Sequence, residues 1–236
     1  MAQTGVFAYW GIGLKAGAVT ASDTDFQKEV DYWASASSNY SSELTTNNGF
    51  LGAELFFETE GPSRLGVSLG LNSISEIKLE ESIPNSAGTL KASAQSFPIT
   101  VYWKLKAEDS SFAYRLGGGA DIMSACTNMA TSGSASSNIN TDFKQTKLVP
   151  HLDAGAEWYI SKRFALGVNI AYLFGARFDK MKGTVSGSDS QLYTVPQPVG
   201  RQIVASSSQP SGSDNYSQDY TGVRGELALR YYFGGN

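Results

Sequence analysis

The 236-residue chain has one cysteine, one histidine and no stretch of 18 or more apolar residues. Each scarcity removes a class of protein. A lone Cys126 excludes an internal disulfide and, without partners, a zinc cluster. The missing long apolar run excludes a transmembrane helix. Charged residues make up 17% of the chain, below the quarter or so usual in soluble domains. Net charge is −4, so there is no basic surplus for nucleic acid. No signal peptide is recognisable, and the start Met-Ala-Gln-Thr fits a mature secreted chain behind an added initiator methionine. Hydropathy alone reads as soluble, but that test is blind to membrane strands, which are only half apolar.

What the chain has instead is glycine, tyrosine, phenylalanine and a period of two. In "RLGVSLGLNS" Leu65, Val67, Leu69 and Leu71 fall on one face, with Gly66, Ser68, Gly70 and Asn72 on the other. Strand side chains alternate faces, so this is a strand with one apolar and one small, polar side. The pattern recurs in "VFAYWGIGLKAGA", "FLGAELFFE", "FPITVYWKL", "FAYRLGGGADI", "HLDAGAEWYI", "FALGVNIAYLF" and "TGVRGELALRYYF". It predicts eight strands, near 5–18, 49–58, 64–74, 97–105, 112–124, 149–160, 164–176 and 220–233. None of the eight apolar faces carries a charge, and segments of this length cross a bilayer at a tilt.

The connections alternate as well. Residues 59–63, 106–111 and 161–163 read as tight turns, whereas 20–47, 74–96, 125–148 and 177–219 read as long polar loops. In the first loop Thr24 and Gln27 form a candidate capping box, and Phe26, Val30 and Trp33 share a helical face, which predicts one or two helical turns. "SEIKLEE" continues the alternation of the third strand, so that hairpin is expected to run on.

Size decides which face is wet. The polar face is crowded with glycine and alanine, including Gly11, Gly13, Gly66, Gly117, Gly119, Ala165 and Ala228. A water-facing surface does not need small side chains, whereas the interior of an eight-stranded barrel does. Aromatics on the apolar face mark two girdles: Phe57, Trp103, Phe112, Tyr114, Trp158, Phe164, Tyr231 and Phe233 near the short turns, and Phe97, Tyr172 and Phe174 near the long loops.

From "GVFAYW" to "LRYYF" the chain resembles the small eight-stranded outer-membrane barrels of Gram-negative bacteria, of the outer membrane protein A, OmpW and opacity types. The resemblance is one of architecture. It implies an all-β, closed antiparallel up-and-down transmembrane barrel forming one domain over residues 1–236, with both termini and the short turns periplasmic and four long loops extracellular. The partners it implies are the lipid bilayer, lipopolysaccharide, the outer-membrane assembly machinery and a surface ligand for the loops. Such chains usually end on the last aromatic; here Gly234, Gly235 and Asn236 follow Phe233.

With the polar face inward, the barrel encloses Lys15, Lys104, Arg115, Arg224 and Arg230 together with Glu54, Glu58, Asp121, Asp153, Glu157 and Glu226, and the sole histidine, His151. Charges out of water must pair. Lys15–Glu226 and Arg115–Glu157 are candidate pairs on neighbouring strands. The network either fastens a plugged barrel or forms a narrow gated ion path. No catalytic, cofactor or metal residues are assigned. His151 is followed on its face by Asp153 rather than by a serine nucleophile, and the loop acids Asp23, Asp25, Glu29 and Asp31 match no cation-binding spacing and are expected to be solvated. The expected role is non-enzymatic, with the loops binding or adhering at the cell surface. The alternative is a channel for small solutes or hydrophobic compounds, with Pro98 or Pro150 interrupting strand pairing near the outer rim. A soluble ligand-binding barrel remains as a third reading, and it requires a chain that stays folded without detergent.

Overall fold

Eight strands pair into a closed antiparallel ring. The computed structural model describes residues 9–21, 24–36, 41–45, 48–83, 86–107, 110–133 and 139–233. We label the ring strands β1 (Tyr9–Val19), β2 (Gly49–Glu58), β3 (Ser63–Ile83), β4 (Ser86–Leu105), β5 (Phe112–Gly133), β6 (Ile139–Tyr159), β7 (Phe164–Leu173) and β8 (Gly222–Phe233). Each pairs with the next, and β1 closes on β8 through ten pairs running from Trp10–Phe233 to Val19–Arg224. Val6 and Ala8, expected in the first strand, lie outside the described residues.

Alternation places the side chains as period two demands. Inward positions of β7 are buried and outward ones exposed without exception. Glycines inside the ring make room for large neighbours. A Cβ at Gly66 would lie 2.3 Å from the Tyr102 ring, and one at Gly119 would lie 1.9 Å from the Ile99 carbonyl oxygen.

The long connections correct the sequence reading. The described residues of 74–96 and 125–148 are not loops, because β3 to β6 continue through them as strands of 20 to 22 residues. Outward positions there carry polar side chains such as Glu80, Thr146 and Lys144, while Ile77, Leu79, Leu90, Ala92, Ala125 and Phe143 point in together with the buried Thr127. A bulge between Ile74 and Ile77 shifts β3 by one position, which keeps the apolar side chains inward. The continuation of the third strand into "SEIKLEE" is thus one case of a general extension. At the other ends, β7 stops at Leu173 and β8 starts at Gly222, both short of the expected bounds.

Above the ring, β3 to β6 acquire new neighbours. The strand Ser41–Thr45 pairs with β3. Lys182–Val185 joins β6 at Lys182–Lys144, Ser188–Pro196 follows it, and Arg201–Ser206 ends the series. Helix α1 (Thr24–Ala36) packs against both outer members, Ser41–Thr45 and Arg201–Ser206, and bridges the seam between them. At 13 residues it is longer than the one or two turns expected. The Thr24 and Trp33 side chains lie outside the described residues, and the expected capping box lies there with Thr24. Phe26 is fully buried and stacks on Tyr216. The upper storey is therefore an eight-stranded open sheet closed by a helix around an apolar core that also takes in Phe50, Leu173, Phe178, Met181, Leu192 and Ile203.

Candidate functional site

The lower storey holds the charged residues that the sequence singles out. Lys15, Glu54, Lys104, Arg115, Asp121, His151, Asp153, Glu157, Arg224, Glu226 and Arg230 all lie inside the ring and are buried. Period two puts them there, on the strand faces opposite the exposed apolar side chains.

Near the short turns, Lys104 Nζ sits 2.6 Å from Glu58 Oε1 and 2.7 Å from Glu157 Oε2, and donates to the Tyr232 hydroxyl at 2.6 Å. Tyr102 donates to Glu58 at 2.9 Å and Tyr232 to Glu157 at 2.6 Å. Arg64 covers this layer from the rim, 3.2 Å from Glu58 Oε2. One level up, Arg230 bridges Glu54 and Glu157, with Nη1 2.6 Å from Glu157 Oε1. Lys15 stands 3.9 Å from Glu54 and 3.7 Å from Glu226, and Asn169 donates to Glu226 at 2.8 Å. Lys15 and Glu226 thus face each other across the closing strands.

Arg115 and Glu157 do not pair. Arg115 donates to Asp153 Oδ2 through Nε and Nη2, at 3.2 and 2.9 Å, with its guanidinium 4.3 Å from the centre of the Tyr102 ring. The register explains the change. Arg115 stands opposite Gly155, so Asp153 and Glu157 are its two diagonal neighbours, and Glu157 is taken by Lys104 and Arg230.

At the top of the layer, Asp121 gathers Arg224, the Ser96 hydroxyl at 2.6 Å and His151 Nδ1 at 2.6 Å. His151 Nε2 lies 3.0 Å from Thr100 Oγ1. A hydroxyl, an imidazole and a carboxylate in line have the order of a hydrolytic triad. The space around them is small. The cavity bordered by Thr100, His151, Arg115 and Asp153 measures about 10 Å³, room for about one water and none for an acyl group or a hydrated ion. The arrangement ties strands β4, β5, β6 and β8 together across the lumen.

Sequence reasoning missed Phe56, Tyr102 and Tyr232, the buried aromatics that fill the lower end; Phe56 meets Tyr232 edge-on at 4.8 Å. Their signal was available, because each shares its strand face with Glu58, Lys104 or Arg230. It also misjudged the first-loop acids. Asp25 and Glu29 are buried: Asp25 accepts from the Ser217 backbone N–H at 3.1 Å, and Glu29 accepts from the Ile203 N–H. They tie α1 to the segment 201–217. Asp31 is exposed, as expected, and Asp23 lies outside the described residues. Cys126 is not in a loop but faces outward on β5, half-buried, and burial pushes its thiol pKa up.

The outward face of the lower storey is apolar all the way round. Leu14, Leu51, Leu65, Val101, Leu116, Leu152, Val168 and Leu227 are each at least half exposed. The aromatics expected near the short turns line its lower edge. Trp103, Phe112, Tyr114, Trp158 and Phe164 are exposed, while Phe57, Tyr231 and Phe233 are partly covered. Trp10 stacks on Phe233 at 4.2 Å, and Phe164 meets Tyr231 at 4.9 Å. Phe97, Tyr172 and Phe174 sit at the upper edge.

No family model matches the chain, and no curated protein matches it. Among solved structures it is similar to the outer membrane protein OprG from Pseudomonas aeruginosa, at 13% identity and a TM-score of 0.43, covering 98% of this chain and 99% of that one. It is also similar to the outer membrane protease OmpT from Escherichia coli, at 11% identity and a TM-score of 0.40, covering 96% and 94%. A TodX monoaromatic hydrocarbon channel mutant aligns at 8% identity and a TM-score of 0.23, covering 98% and 90%. The first two are outer-membrane proteins; the fold of this chain follows from its own strand pairing.

Proposed function

We propose that the chain is an integral β-barrel protein of a bacterial outer membrane, non-enzymatic, with a plugged lumen and an extracellular cap that serves recognition or adhesion. The carrying observation is the apolar belt. Outward side chains on β4 run from Leu105 to Phe97 without a polar residue and give way at once to Gln95, Ser93 and Lys91. Nine residues at ~3.3 Å each, tilted by ~40°, span about 23 Å, close to the ~25 Å apolar band of a membrane barrel. Soluble monomers rarely leave so large an apolar surface uncovered. The short-turn end is then periplasmic, and α1 with residues 177–219 faces outward, in contact with lipopolysaccharide or a surface ligand.

The test is flotation of the refolded chain with phospholipid vesicles, followed by a urea wash. Retention in the vesicle fraction supports the reading; a monodisperse, folded protein without detergent overturns it.

One observation favours the hydrophobic-compound channel as a second reading. Between β3 and β4 the pairing stops at Leu69–Ile99 and resumes at Asn72–Ser96, a gap of two pairs beside Pro98, which has no N–H to give. Pro150 leaves the β5–β6 pairing unbroken. A gap in the wall offers a sideways route that a plugged lumen does not. Planar-bilayer recording separates an ion path from both readings: silence from inserted protein fits a plug, and discrete steps contradict it.

A further inference from the structure

The cap carries a second polar cavity, of about 540 Å³, between α1 and residues 177–219. Its walls are built rather than loose. Asp25, 7% exposed, is held by the Ser217 N–H and hydroxyl at 3.1 and 3.5 Å. Arg201 is anchored on Asp214 at 2.7 Å and on Thr194 at 3.2 Å, and Asp219 Oδ1 accepts from the Thr221 N–H at 2.9 Å. Two lining cations stand apart from this frame. The side chains of Lys28, on α1, and Arg177, after β7, have no ion pair or hydrogen bond among the described residues.

We propose that this cleft binds a small zwitterion, with a phosphate or carboxylate engaged by Lys28 and Arg177 and an ammonium by Asp25 and Asp219. The lining sets the chemistry. Four aspartates border the cleft, so a bare anion meets repulsion. Two uncommitted cations border it as well, so a bare cation gains little. A ligand carrying both signs on a short frame satisfies both, and charge-assisted hydrogen bonds are the strong ones. No aromatic side chain lines the cleft, which disfavours sugar stacking. Because Lys28 belongs to α1 and Arg177 does not, the ligand also fastens the helix over its seam. A free amino-phosphate solute and an ethanolamine-phosphate lipid headgroup share this chemistry.

The site deepens the recognition role given to the cap and rests on that end being open to solvent. Its test is separate from vesicle flotation. Detergent-folded full-length protein is titrated by calorimetry with O-phosphoethanolamine, inorganic phosphate and ethanolamine. Saturable binding of O-phosphoethanolamine about tenfold tighter than either fragment is expected, and Lys28→Met and Arg177→Met should each weaken it about tenfold, the ordinary cost of one charged hydrogen bond. Neither side chain holds the fold, and unchanged gel mobility of the variants checks that. No binding, equal affinity for inorganic phosphate, or variants that bind like the parent overturns the proposal. Nanodiscs distinguish the sources. Loss of probe binding in phosphatidylethanolamine but not in phosphatidylglycerol names the headgroup; equal binding in both names a free solute.

Discussion

The two storeys of this molecule share four strands and are inside-out with respect to each other. On β5, Arg115 and Asp121 point inward below while Leu116 and Ile122 point outward; above, Met123 and Ala125 point inward while Ser124 and Asn128 point outward. The polarity of both faces flips within a residue or two. On β4 the outward change falls between Phe97 and Gln95, and the inward one between Ser96 and Ala94. A strand cannot choose its inside from propensity alone; the surrounding solvent chooses. Apolar outside with ion pairs inside is the solution for hydrocarbon, and polar outside with an apolar core is the solution for water. The flip marks the boundary between the two.

The sharpest way to break the comparison is to remove one core member from each storey. Glu157→Ala leaves Lys104 and Arg230 short of a carboxylate in a closed interior and should cost about 3–5 kcal/mol. Phe143→Ala opens a cavity in the upper core and should cost a similar ~3–5 kcal/mol. Unfolding by denaturant in lipid vesicles measures both. A difference lies in how each is repaired: volume-matched apolar replacement rescues position 143 and not position 157. Smaller effects come from the outside. Leu116→Arg, at mid-belt, should destabilise the vesicle-inserted protein by about 2–4 kcal/mol. The same substitution above the flip, Thr146→Arg, should stay within about 0.5 kcal/mol. Equal costs for these two arginines would mean that both storeys face the same solvent.

Much of the lower storey was legible because it obeys period two with opposite chemistry on its faces. The strand ring, the inward charges and the outward aromatics follow from that alternation. The upper storey follows the same period, but with serine, threonine and lysine outward, so residues such as Thr146 and Lys144 resembled loop residues. The bulge at Ile74–Ile77 hid the alternation further by shifting it. Pairing was legible where the neighbouring strand offered one diagonal carboxylate. Lys15 meets Glu226 across the closure, whereas Arg115 had two diagonal carboxylates, and the choice depended on Lys104 and Arg230 from other strands. The seam closed by α1 depends on contacts between residues some 170 apart, such as Glu29 with Ile203, and no local pattern encodes these.

The native Cys126, outward on β5 above the flip, provides the most direct test of the central claim. In lipid nanodiscs it is compared with a Cys126→Ser, Leu116→Cys chain, whose thiol sits ten residues lower on the same outer face. Both are exposed to a charged, water-soluble maleimide at a pH high enough to ionise the thiols. The account predicts that Cys126 is labelled and that the thiol at position 116 is protected until the lipid is replaced by denaturant. Equal labelling of both in the bilayer would contradict it, because the apolar belt would then be facing water.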